Sequence, residues 1–151
     1  DVLTPALNRR GFVAVLNRTM AYCQRHGVPA ALLYLDMDGF KGVNDRLGHA
    51  AGDAALIHVA RMLTANVRES DAVGRLGGDE FALLMLNAGV EEGRAKARLL
   101  AETLARDGFE WDGGRAELGG SFGVRGWDGH SDAEGWLAEA AAARWARKRG
   151  R

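Results

Sequence analysis

Apolar residues follow two alternating rhythms along the chain, and the alternation predicts its elements. From Asn8 to His26 the spacing is helical, with Phe12, Val15, Leu16 and Tyr22 on one face, until Gly27-Val28-Pro29 breaks the run. Ala30-Ala31-Leu32-Leu33-Tyr34-Leu35 is unbroken apolar sequence of strand length ending at Asp36, the pattern of a strand buried on both faces. Helical spacing returns from Asp53 to Arg68, with Leu56, Val59, Leu63 and Val67 as the stripe. Two strands, Asp71 to Arg75 and Phe81 to Leu86, flank Gly77-Gly78, which predicts a hairpin turn using the positive φ angles open to glycine. A helix from Glu91 to Arg106 stops at Asp107-Gly108. A strand from Arg115 to Val124, weakened by Gly119 and Gly120, and a helix from Asp132 to Lys148 complete the chain. The order strand-helix-strand-strand-helix-strand predicts a ferredoxin-like α/β (α+β) fold, a mainly antiparallel sheet flanked by helices.

Composition narrows the function only by exclusion. At 151 residues the chain is one domain by ordinary size, long enough to bury a core. Twenty basic residues balance twenty acidic ones, so no net field favours a nucleic-acid polymer or a membrane surface. No apolar stretch approaches the roughly 18 residues of a membrane span, and no signal-peptide pattern is present. Cys23 stands alone in a helical setting, which predicts a packed thiol and a reducing, cytoplasmic location.

The chemistry concentrates in acids. Asp79-Glu80 leads from the glycine pair straight into a strand, although strands are poor in carboxylates. Asp36-Met37-Asp38 ends the central strand at its carboxyl end, where open α/β sheets hold ligands. If the hairpin pairs beside that strand, Asp36, Asp38, Asp79 and Glu80 converge and need a cation to offset their repulsion. Oxygen ligands without a Cys/His set point to Mg²⁺ or Mn²⁺. Two such ions roughly 3.5–4 Å apart are the usual device for in-line attack on phosphorus. Gly77 and Gly78 leave room for a ligand at the backbone. His49 and His58 are expected to be structural.

Leu76-Gly77-Gly78-Asp79-Glu80-Phe81, the preceding Leu35-Asp36-Met37-Asp38-Gly39-Phe40-Lys41, and Asn44-Asp45-Arg46-Leu47-Gly48-His49 with Gly52-Asp53 resemble the GGDEF-domain diguanylate cyclases. The resemblance spans the chain, strongest from Leu35 to Leu86, and implies the palm architecture shared with polymerases and nucleotide cyclases. Because the chain begins and ends almost on family motifs, the resemblance implies one domain, residues 1–151, cut from a longer protein. It assigns metal binding to Asp36, the Met37 carbonyl, Asp79 and Glu80, with two Mg²⁺ or Mn²⁺ per half-site. Asp79, Glu80 and Lys41 would be catalytic, Lys41 by holding a terminal phosphate. Asn44 and Asp53 would read guanine, whose paired N–H donors suit a carboxylate; a helix cap is the other reading of Asp53. Gly77, Gly78, Phe40, Arg147 and Arg151 would complete the GTP site.

The implied reaction joins two GTP molecules, presented by two facing domains, into cyclic di-GMP and two pyrophosphates. Arg68 and Asp71, an Arg-x-x-Asp pair nine positions before Gly77, match the family's product-inhibition site; a plain surface ion pair is the alternative. Several positions depart from the family pattern: Ala6 and Gly39, then Ala140, Arg144 and Arg147 in place of an aspartate, a tyrosine and a lysine. These departures favour the rival reading, a degenerate cyclase kept as a cyclic di-GMP or GTP receptor. The intact acidic set opposes it.

Overall fold

The unbroken apolar run that starts at Ala30 lies at the centre of the fold. In chain order the computed structural model gives α1 (Arg9–His26), β1 (Ala30–Asp38), α2 (Phe40–Leu47), α3 (His49–Ala65), β2 (Ala72–Gly77) and β3 (Glu80–Leu86). There follow α4 (Val90–Asp107), β4 (Phe109–Trp111), β5 (Gly114–Ala116), β6 (Gly119–Gly126), α5 (Ala133–Ala142) and β7 (Trp145–Ala146). Residues 4–38, 40–129 and 132–146 are described. The main sheet has the order β2-β3-β1-β6-β7, with β1 antiparallel to both β3 and β6. Strands β1, β2, β3 and β6, with α2/α3 and α4 as crossovers, form the expected ferredoxin-like core. To this core α1, the β4–β5 hairpin and the α5–β7 segment are added.

Side chains alternate across β1, so each face needs its own cover. Leu33, Leu35 and Met37 join a cluster with Leu56, Val59 and Leu63 of α3 and Leu100 and Leu104 of α4. Leu32 and Tyr34 join a second cluster with Phe12 and Leu16 of α1 and Trp136 and Leu137 of α5. Both faces are therefore buried, which is why the strand carries no polar alternation before Asp36. Fully burying such a side chain contributes about 1.5–3 kcal/mol. Cys23 is buried as expected, and desolvation pushes its thiol pKa up.

The structure corrects several expectations. The helix expected from Asp53 starts at His49, preceded by the separate helix α2; Gly48, at φ 94°, makes the break between them. Asp53 thus lies inside α3, and the N-cap position belongs to Gly48. Tyr22 is exposed against His26, while the buried stripe of α1 is Phe12, Leu16, Met20 and Cys23. Arg115 belongs to the β4–β5 hairpin, and β6 begins at the glycines that were expected to weaken it. At Gly120, and at Gly123 further along the strand, the lack of a side chain is a packing requirement: a Cβ on Gly120 would lie 2.4 Å from Leu35 Cδ1, and one on Gly123 would lie 1.9 Å from the Ala140 carbonyl oxygen, whereas one on Gly119 would meet nothing within 4 Å. The last helix ends at Ala142, because Trp145 and Ala146 pair with Phe122 and Ser121 of β6. Among the described residues, no helix is long and apolar enough to cross a membrane.

Candidate active site

The acidic turn is tied to the end of the central strand by the backbone. The Met37 N–H donates to the Asp79 carbonyl at 3.0 Å, and Asp36 sits directly opposite Glu80 in the β1–β3 pairing. Directly opposed residues project from the same face of a sheet, so these two carboxylates are cross-strand neighbours. The turn residues are Gly78 and Asp79, with a register shift between Arg75 and Gly77. Arg75 Nε holds the turn by donating to the Gly78 carbonyl at 3.0 Å.

Neither Gly77 nor Gly78 takes a positive φ, contrary to expectation. A Cβ on Gly77 would meet only Glu80 Oε1, at 3.8 Å, and one on Gly78 would meet nothing within 4 Å. The fold does not demand glycine at either position. What the pair provides is open space beside the backbone, the second of the two roles expected of it.

The neighbouring acids act on Asp36. The Asp36 carboxyl is pushed up from its ordinary pKa, first by burial and then by the Asp79 charge, with Glu80 and Asp38 adding and Arg144 opposing. Arg144 Nη1 donates to Asp36 Oδ2 at 2.6 Å, and its guanidinium carbon lies 5.6 Å from the Tyr34 ring centroid. Burial and then a hydrogen bond to Glu80 raise the Tyr34 pKa above its usual value. Tyr34 and Arg144 were absent from the predicted site. Tyr34 could have been found, since it lies two residues before Asp36 on the same strand face. Arg144 comes from 108 residues away with no local signal.

The donor chemistry fits a hard divalent cation: Asp36, Asp79 and Glu80 supply carboxylate oxygens, and Met37 a main-chain carbonyl. As placed, no three acidic, histidine or cysteine side chains among the described residues gather round one point. Asp36 accepts from Arg144 here.

The residues expected to read the nucleotide lie just past the strand end. Phe40 opens α2 and packs, partly buried, against the core, and Lys41 falls in the first turn of that helix. Asn44 rests on Gly52, where a Cβ would fall 1.7 Å from its Oδ1. Asp53, the next residue of α3, is exposed. Arg147 and Arg151 lie outside the described residues. His49 is exposed at the start of α3, and His58 packs against Phe109.

Arg68 and Asp71 are not a plain surface pair. The Asp71 side chain is only 1% exposed and accepts from Arg68 N, Nε and Nη2 at 3.0–3.2 Å and from the Leu86 N–H at 3.2 Å. Arg68 Nη2 also donates to the Leu86 carbonyl. The pair closes the end of the β2–β3 ladder far from the acidic turn. The Asp71 oxygens are turned inward and already accept from Arg68 and Leu86. Arg68, half exposed, borders a groove of about 500 Å³ with Pro5, Leu7, Val67 and Glu69.

Comparison with known proteins matches this arrangement to one family. The family model described as diguanylate cyclase, GGDEF domain, matches residues 1–151. The chain belongs to the GGDEF family. It is similar to the diguanylate cyclase DosC of Escherichia coli, with 36% identity over 153 residues, covering 100% of this chain and 33% of the relative. Similarity to the diguanylate cyclase TpbB of Pseudomonas aeruginosa is 43% over 107 residues, covering 70% of this chain and 25% of that protein. The chain therefore spans a third or less of these relatives. Among solved structures, a microbial GGDEF domain described in a novel interaction mode with cyclic di-GMP superposes with a TM-score of 0.82 at 35% identity. That match covers 95% of this chain and 88% of the other. The GGDEF signature thus coincides with the Gly77–Phe81 turn, laced to β1.

Proposed function

We propose that this GGDEF domain is one half-site of a diguanylate cyclase, binding one GTP and acting when a second copy faces it. The observation that carries the reading is the main-chain link from Met37 to Asp79, which fixes the acidic turn beside Asp36 at the strand end. Diguanylate cyclases of this family use a divalent metal. Asp36, the Met37 carbonyl, Asp79 and Glu80 are the residues that would hold Mg²⁺ or Mn²⁺ here, as two ions. When bound, the metal supplies positive charge for the phosphates and for activation of the attacking hydroxyl.

The chain's own residues do the remaining work. The ribose 3′-oxygen of one GTP attacks the α-phosphorus of the other, forming a P–O bond as the α–β bond breaks and pyrophosphate leaves. Asp79 would help activate the attacking hydroxyl, and Glu80 would complete the acidic set. Gly77 and Gly78 leave the nucleotide free to lie against the turn, and Lys41 offers a compact cation to its terminal phosphate. Repetition of the step in the opposite sense closes cyclic di-GMP.

Incubation with GTP and Mg²⁺ at high protein concentration, followed by chromatography, tests the reading. Cyclic di-GMP is the expected product. Nucleotide binding without product would favour the receptor reading, which the contact between Arg144 and Asp36 supports. Guanine selection rests on Asn44 and Asp53. Asp53→Ala is expected to weaken GTP binding by roughly 1–3 kcal/mol, the cost of unpaired polar groups, and to leave ATP nearly unchanged. Equal losses for the two nucleotides in calorimetric titration would remove Asp53 from base recognition.

Product inhibition belongs to the same proposal. Cyclic di-GMP would engage the Arg68 guanidinium above the groove, with Asp71 first having to release it. Arg68→Ala is expected to abolish binding of cyclic di-GMP at this groove and to spare GTP affinity. Titration of both proteins with cyclic di-GMP checks it; equal affinity and stoichiometry would leave the pair a structural clasp alone. The domain would work as part of a longer, cytoplasmically exposed protein, with a second copy of itself as partner.

A further inference from the structure

Arg144 occupies the position of a tyrosine in the family pattern, yet its side chain is the one that reaches the acidic site. It lies in the short link between α5 and β7, and each side of that link is fixed. Upstream, the Arg144 N–H is bonded to the Ala141 carbonyl, and Ala140 packs onto Gly123 at a distance that excludes a Cβ. Downstream, Trp145 pairs with Phe122 across the β6–β7 ladder. The guanidinium is thereby delivered to Asp36 Oδ2 at 2.6 Å, with Tyr34 beside it. Both side chains are about one-third exposed, so the pair is accessible to ions from solvent.

We propose that Arg144 is a tethered counter-ion that competes with the divalent cation for Asp36. The inference rests on the reading of Asp36 as a metal ligand. Asp36 faces the charges of Asp79, Glu80 and Asp38, and any cation on it relieves that crowding. A guanidinium and a metal ion cannot share the same oxygen lone pairs. Each metal-binding event must therefore release Arg144, and the release lowers the apparent metal affinity by the strength of the ion pair.

The test is titration with Mn²⁺ alone, followed by the electron paramagnetic resonance of the free ion. It compares wild type, Arg144→Gln, Arg144→Lys and Asp36→Asn, each first shown to be folded by far-ultraviolet circular dichroism. Arg144→Gln is expected to bind Mn²⁺ about two- to fivefold more tightly, the scale of a part-exposed ion pair. Arg144→Lys should fall between it and wild type, and keeps the charge if the glutamine variant fails to fold. Should Asp36→Asn weaken binding while Arg144→Gln matches or falls below wild type, the counter-ion inference fails and the metal assignment stands. Should Asp36→Asn bind as wild type does, or no variant bind Mn²⁺, both fail.

Discussion

Asp79→Ala is expected to eliminate cyclic di-GMP synthesis, by roughly 10²–10³-fold or more, on the scale lost when a preorganised charge is removed from a reacting centre. Glu80→Ala should do the same. The fold should survive either change, because the turn is held by main-chain groups: the Met37 N–H on the Asp79 carbonyl and the Arg75 guanidinium on the Gly78 carbonyl. Removing the Asp79 charge also relieves the strongest repulsion acting on Asp36. In metal-free buffer the melting temperature of Asp79→Ala should therefore hold or rise by about 1–2 °C, as expected for a few tenths of a kcal/mol in a domain of this size. Chromatography of the product and thermal denaturation check the two halves. Full synthesis by either variant would show that the acidic turn is not where the reaction occurs.

Gly123→Ala is expected to have the largest effect on stability. Its new Cβ would start 1.9 Å from the Ala140 carbonyl oxygen and 3.0 Å from the Arg144 nitrogen, both backbone atoms that cannot simply rotate away. Forcing α5 off β6 should cost about 1–3 kcal/mol, the usual range for overpacking, or several degrees in melting temperature. The displacement also carries Arg144 away from Asp36. A melting curve matching wild type would mean that α5 does not press on β6 as described.

The sequence revealed most where one local cause acts. Burial on both faces explains the unbroken apolar run of β1, and the carboxylates beside the Gly77-Gly78 pair stand out because a strand rarely tolerates them. Helix α2, the start of α3 before Asp53 and the end of α5 at Ala142 were hidden for different reasons. Asn44 to Asp53 is mostly polar or small, with no apolar stripe to mark the end of α2 or the first turn of α3. The end of α5 is imposed by a distant strand, since Trp145 and Ala146 pair with β6 instead of continuing the alanine-rich helix. Gly120 misled for a related reason: its weak strand propensity is overridden by neighbours that leave no room for a side chain. Asp71 looked like an exposed acid and proved buried, because its partners include Leu86, fifteen residues downstream.

The contrast between the glycines of β6 and those of the acidic turn has a consequence for how such a domain changes over many generations. At Gly120 and Gly123 a substitution is charged against the stability margin at once, so those positions are closed to drift. At Gly77 and Gly78 the backbone is ordinary and the space is open, so serine or alanine should be accepted with little loss of folding. Chemistry can therefore be gained or extinguished at the tip of the hairpin while the scaffold passes the same folding threshold. The domain holds its mutable function and its immutable architecture on opposite sides of one central strand.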